Sequence, residues 1–123
     1  MSDLPISFKE MCARFDVTPR TLRYYEYIEL LQPRKDGRNR LYGARELARM
    51  KLILRGKQFG FSLEEIRQWL ELYQSEGSEA QLREFVAMAD RQIAVLEQQR
   101  AAVAAALQDL HKVRREALGQ ITG

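Results

Sequence analysis

The sequence predicts a mainly α chain, with a winged helix-turn-helix head followed by a long coiled-coil helix. Three observations predict it. Capped helix starts recur through the first 75 residues, and an Asp-Gly hairpin signal interrupts them. From Leu82 to Ala117, apolar residues then recur at heptad spacing with no proline or glycine to break them. The expected organisation is a head over residues 1–75, a hinge at 76–80, a dimerisation helix at 81–118 and a tail at 119–123.

The first helix is announced by "ISFKEM". Ile6 stands at N′, Ser7 at the cap, Glu10 three residues on and Met11 at N4, a capping box with a hydrophobic staple. Phe8, Met11, Cys12 and Phe15 then follow i, i+3, i+4, i+7, so a short amphipathic helix ends near Phe15. After "DVTP", Thr18 is a good cap and Pro19 a good first helical residue. Two short helices across so tight a turn predict a helix-turn-helix.

On the second helix, Arg20, Arg23, Tyr24 and Tyr27 share one stripe, while Leu22 and Tyr25 fall opposite. The apolar pair packs inward and the Arg/Tyr stripe faces out. Such a helix presents what a major groove recognises. Arginine binds guanine O6 and N7 bidentately, and tyrosine hydroxyls donate to phosphates.

Next, "PRKDGRNRLY" carries Asp36-Gly37, a type I′ hairpin signal, with Pro33 suited to an outer strand end. Period-2 alternation puts Arg38, Arg40 and Tyr42 on one side and Asn39 and Leu41 on the other. Leu41 is expected to anchor inward, leaving a cationic ribbon as a wing. Gly43 opens a third helix to about Phe59, with Leu47, Met50 and Leu54 as its apolar stripe, and Gly60 ends it. "FSLEEI" repeats the capping box and staple for a fourth helix through Leu63, Ile66, Leu70 and Tyr73, with Trp69 beside them.

The heptad seam reads Leu82, Val86, Ala89, Ile93, Leu96, Arg100, Val103, Leu107, Leu110, Arg114 and Ala117. Nine of these eleven positions are apolar, so the stripe calls for a partner helix, and a second copy is expected to supply it through residues 82–117. Folding back on the head is the other way to cover it. Arg100 either sets register or reaches solvent at the seam's edge.

Charge sharpens the reading. The chain carries a net +3, but residues 1–60 hold thirteen Lys/Arg against seven Asp/Glu, and residues 61–123 hold seven against ten. Nine basic and two acidic residues fall within 34–57, the signature of a polyanion partner. No apolar run is long enough for a membrane span, no signal peptide opens the chain, and one cysteine excludes an internal disulfide framework. A cytoplasmic, nucleoid-associated protein is expected. No phosphate-cradling glycine loop or Ser/His/Asp set is present, so enzymatic chemistry is not expected.

At "VTPRTLRYYE", "GRNRLY" and "KQFGFSLEEIRQWL" the chain resembles the MerR family of bacterial transcription regulators. The likeness runs from Ile6 to about Tyr73, and the terminal coil agrees in kind. It implies a homodimer joined by an antiparallel coiled coil on a palindromic operator in double-stranded promoter DNA. It also implies distortion of that DNA so that RNA polymerase can use it. Carried over residue by residue, base or phosphate contact falls to Arg20, Thr21, Arg23 and Tyr24. Wing backbone contacts fall to Arg40 and Tyr42, supported by Arg38, with Lys57 as a further phosphate contact. The chain departs from many members at Asn39, where they carry an aromatic residue.

Metal- and redox-sensing members place cysteines about the dimerisation helix, and residues 61–123 hold none. Neither a metal site nor a cofactor is expected; His111 alone makes no site, and Cys12 reads as a buried thiol. With six residues after the seam, the effector is expected to be a small non-metal ligand or absent. The candidate region for it is Trp69, Tyr73 and Phe85, residues that equally suit packing. "MKLILRGKQFGFSLEEI" also looks like a subgroup linked to branched-chain amino-acid and fatty-acid catabolism. An architectural DNA-binding protein without effector and a coiled-coil interaction adaptor are the alternatives.

Overall fold

The computed structural model describes residues 4–75 and 78–122, with 73–75 as backbone. The chain divides into two compact units, residues 1–80 and 81–123.

In the first unit, β1 (Ile6–Ser7) leads into α1 (Phe8–Phe15) and α2 (Pro19–Tyr27). Strands β2 (Arg34–Asp36) and β3 (Asn39–Tyr42) form the wing, and α3 (Ala44–Gln58) and α4 (Leu63–Ser75) complete the head. The expected caps are present. Ser7 and Glu10 each accept the other's backbone N–H through a side-chain oxygen at 3.2 Å, and Ser62 and Glu65 do so at 3.1 and 2.9 Å. Thr18 Oγ1 accepts from the Thr21 amide at 3.1 Å. Each such cap contributes about 1 kcal/mol and fixes where its helix begins.

Three antiparallel strands lie in the order β1-β3-β2, so the hairpin is not a free ribbon. Ile6 pairs with Tyr42 and Ser7 with Leu41, which stitches β3 to the residue that opens α1. The alternation expected along the wing is reversed. Tyr42 is the inward anchor, fully buried, while Leu41 is only half-buried. The cause is β1: with Ile6 buried opposite Tyr42, the face they share is the one that meets the helices.

The turn also differs from expectation. Asp36 pairs with Asn39, so Gly37 and Arg38 are its central residues, and Gly37 alone of the two has positive φ, +63°. Positive φ at the first central residue only is the type II′ pattern, not I′.

The core of the head is formed by Met11, Leu22, Tyr25, Leu30, Leu31, Tyr42, Met50, Ile53, Phe61, Ile66 and Leu70. On α3, Ile53 takes the buried place expected of Leu54, which is half-exposed. Gly56 lies where α3 meets α4: a Cβ there would stand 2.9 Å from two atoms of Ile66.

The second helix pair also holds the end of α2. Glu29, just past that helix, has φ +64°; Leu30 N–H donates to Tyr25 O at 2.9 Å and Glu29 N–H to Glu26 O at 3.0 Å. That is a Schellman ending, with buried Leu30 and Tyr25 as its hydrophobic contact. Side chains from α3 and α4 bind the exit loop. Arg49 Nε donates to Leu30 O at 2.9 Å, Arg67 Nη2 donates to Ile28 O, and Gln32 N–H donates to Glu46 Oε2 at 2.9 Å. Buried Glu46 meets Arg45 Nη1 at 3.1 Å through its other oxygen.

Helix α5 runs from Ser78 to Thr122. It takes in 78–80 of the expected hinge and 119–122 of the expected tail; Glu76, Gly77 and Gly123 lie outside the described residues. Leu82, Val86, Ile93, Leu96, Val103, Leu107 and Leu110 of the heptad seam are all exposed on the single chain.

Candidate nucleic-acid interface

Helix α2 divides as its sequence requires. Leu22 and Tyr25 are buried, while Arg20 and Arg23 are exposed, Tyr24 is 51% exposed and Tyr27 84%. Arg20, Arg23, Tyr24 and Tyr27, with Leu63 of α4, line an open concavity of about 550 Å³. Thr21 is half-buried, and its hydroxyl oxygen accepts from the Thr18 hydroxyl at 3.0 Å while keeping its own proton to donate. The exposed stripe is therefore two guanidiniums and two phenols on a helix whose other side is locked into the core.

Arg34, Lys35 and Arg38 of the wing are exposed. Arg40 is held against α2: its Nε stands 2.7 Å from Glu26 Oε1, with the Arg40 side chain 36% exposed and that of Glu26 13%. The other carboxylate oxygen of Glu26 accepts the Tyr42 hydroxyl. The guanidiniums of Arg23 and Arg40 each lie 5.4 Å from the centroid of the Phe8 ring. Each such cation–π contact is worth about 0.5–1 kcal/mol. Residues from α1, α2 and β3 thus form one polar knot between helix and wing.

That knot corrects the expected role of Tyr42. A side chain with 0% exposure, its hydroxyl committed to Glu26, is a core anchor and not a backbone contact. Burial, the hydrogen bond to Glu26 and the charge of Glu26 all push its phenol well above the usual tyrosine range. Sequence reasoning placed Phe8 only on the apolar stripe of the first helix and gave Glu26 no part in the site. The only signal for Glu26 was an acidic residue on the flank of an otherwise cationic helix.

Cys12 is half-buried, and burial raises its thiol pKa; the nearby Arg23 charge opposes this and Glu26 adds to it. Lys57 is exposed in the last turn of α3. Trp69 of α4 and Phe85 of α5 are half-buried, and the Tyr73 side chain lies outside the described residues. Among the described residues, no three His, Cys, Asp or Glu side chains group where they could hold a metal ion. Nor is any described helix long and apolar enough to cross a membrane.

Comparison with known proteins places this geometry. Residues 6–72 match the family model "MerR HTH family regulatory protein", and residues 47–113 match "MerR, DNA binding". The regulator ZntR of Escherichia coli K12 is 42% identical over 65 residues, which are 51% of this chain and 46% of that protein. The chain thus spans about half the length of such curated relatives. Among solved structures, a MerR-family transcriptional regulator from Bacillus cereus aligns at TM-score 0.73 and 30% identity. That alignment covers 89% of this chain and 79% of the other. The N-terminal part of the Bacillus subtilis multidrug transporter activator aligns at TM-score 0.67 and 27% identity, covering 88% and 96%. By sequence and by fold, the chain belongs to the MerR family of helix-turn-helix regulatory proteins.

Proposed function

We propose that the chain is a transcription regulator that reads a palindromic promoter operator as a homodimer and distorts it. One observation carries the reading: α2 presents Arg20, Arg23 and Tyr24 outward beside a cationic wing, on a helix anchored by buried Leu22 and Tyr25. In this reading α2 enters the major groove, where Arg23 takes a base edge, with Arg20, Thr21 and Tyr24 on bases or phosphates. Arg38 and Arg40 hold the flanking backbone and Lys57 a further phosphate. The exposed seam of α5 joins two copies through residues 82–117, which doubles the half-site, and RNA polymerase acts at the same promoter. The effector is a small non-metal ligand or absent, a reading supported by the single cysteine, which lies on α1.

Selection of bound duplexes from a random pool, followed by titration of the winner at two salt concentrations, tests this. The expected result is a palindrome bound with a steep salt slope. Arg23→Ala should weaken the selected site by about 1–3 kcal/mol and relax preference at one base position. No enrichment from the pool would overturn the regulator reading in favour of a protein-interaction adaptor.

A further inference from the structure

Glu26 is the one acidic residue of α2, and it lies one turn beyond Arg23 on a helix whose exposed stripe is cationic. On electrostatic grounds alone it opposes a polyanion. Yet it is largely sheltered, and both its oxygens are engaged: Oε1 with Arg40 Nε at 2.7 Å and Oε2 with the Tyr42 hydroxyl. That contact is an ion pair and not an aligned hydrogen bond, so it holds the guanidinium beside Glu26 without using its terminal Nη donors. Phe8 limits the motion further, since the guanidiniums of both Arg23 and Arg40 lie over its ring. The helix arginine and the wing arginine therefore share one support.

We propose that Glu26 is a positioning and specificity-determining residue, holding Arg40 so that the wing engages backbone only where Arg23 also fits the groove. The inference rests on the DNA-binding reading above and deepens it. Pairing with Glu26 lowers the pull of Arg40 on any phosphate, and holding the guanidinium between Glu26 and the Phe8 ring makes that pull depend on register. Glu26 thus favours the matched site over random duplex, although its charge opposes DNA.

Affinities for a selected duplex and a random duplex, measured on the full chain at two salt concentrations, test the assignment. Glu26→Gln keeps an acceptor for Tyr42 but ends the ion pair. It should raise random-duplex affinity and steepen its salt slope, and lower the ratio of selected to random affinity about fivefold, as a half-exposed ion pair supports. Arg40→Lys retains the charge but not the fork, is mild enough to fold, and should lower the ratio in the same direction. In an Arg40→Ala background, Glu26→Gln should leave the ratio unchanged, whereas a merely structural Glu26 would act equally in both backgrounds.

A parent chain that binds no duplex overturns the DNA-binding reading and this inference with it. A parent that discriminates, while Glu26→Gln and Arg40→Lys keep its ratio, overturns the Glu26 assignment alone.

Discussion

Glu29 shows how much one residue costs when its backbone is chosen by its neighbours. It occupies the left-handed region at φ +64°, at the position past a helix where glycine is usual. A non-glycine residue there costs roughly 1–2 kcal/mol, and glycine returns about 0.4–1 kcal/mol of that through unfolded-chain entropy. Glu29→Gly should therefore stabilise the head, raising its thermal midpoint by a few degrees in a calorimetric scan. An unchanged or lower midpoint would mean that the Glu29 side chain contributes more than its strain.

Tyr42 offers a second test at this scale. Its folded pKa is raised, as are those of Tyr25 and Cys12, burial being the largest cause in each case. The unfolded tyrosine releases its proton near the ordinary value of 10.0, while the folded one retains it. Stability from this source is thus full below that pH and declines as pH rises through and beyond it. In denaturant titrations at successive pH values, Tyr42→Phe should be less stable than the parent at neutral pH and should lose stability less steeply above pH 10.

At the scale of elements, the ends of α2 and α3 make an instructive pair. Both close with the same hydrogen-bond pattern: Leu30 N–H to Tyr25 O at 2.9 Å in one, Phe61 N–H to Gly56 O at 3.0 Å in the other. Gly60, with φ +89°, marks the second ending in the sequence, but nothing in Glu29 marks the first. That ending is imposed from outside, by Arg49 and Arg67 reaching the carbonyls of Leu30 and Ile28. Helix α2 is thus held at its start by its own cap and at its end by the second helix pair.

Contact between the elements of that pair depends on Gly56, where a Cβ would come within 2.9 Å of Ile66 Cγ1 and Cδ1. Gly56→Ala should separate α3 from α4 and destabilise the head by about 1–3 kcal/mol, the usual cost of overpacking. Its favourable helix propensity of about 1 kcal/mol works the other way, so a neutral result by urea denaturation would show that Ile66 moves aside.

For the whole molecule, the exposed seam of α5 is the feature that a single chain leaves unanswered. Ile93 is 51% exposed and Leu96 41%, in a helix of 45 residues. A lysine at Ile93 would place a charge in the centre of the proposed seam. Sedimentation equilibrium should then show self-association weakened by about tenfold or more relative to the parent. A parent that is monomeric at micromolar concentration would refute the homodimer directly.

The helices of this protein were legible in its sequence because their signals are local. Capping boxes at Ser7 and Ser62, the Thr18-Pro19 start and the heptad repeat each act within a few residues of chain, so spacing suffices to find them. The outward stripe of α2 was legible for the same reason, since a 3.6-residue period sorts buried Leu22 and Tyr25 from exposed Arg23 and Tyr24. Only the tertiary structure decided which face of the wing turns inward, because a two-residue strand, β1, pairs with β3 from far along the chain, joining Ile6 to Tyr42, 36 positions apart. It alone decided that Glu26, silent in the sequence, joins Arg40 and Tyr42. A contact between residues 14 and 16 positions apart follows from how sheet and helices pack, and no short-range pattern encodes it.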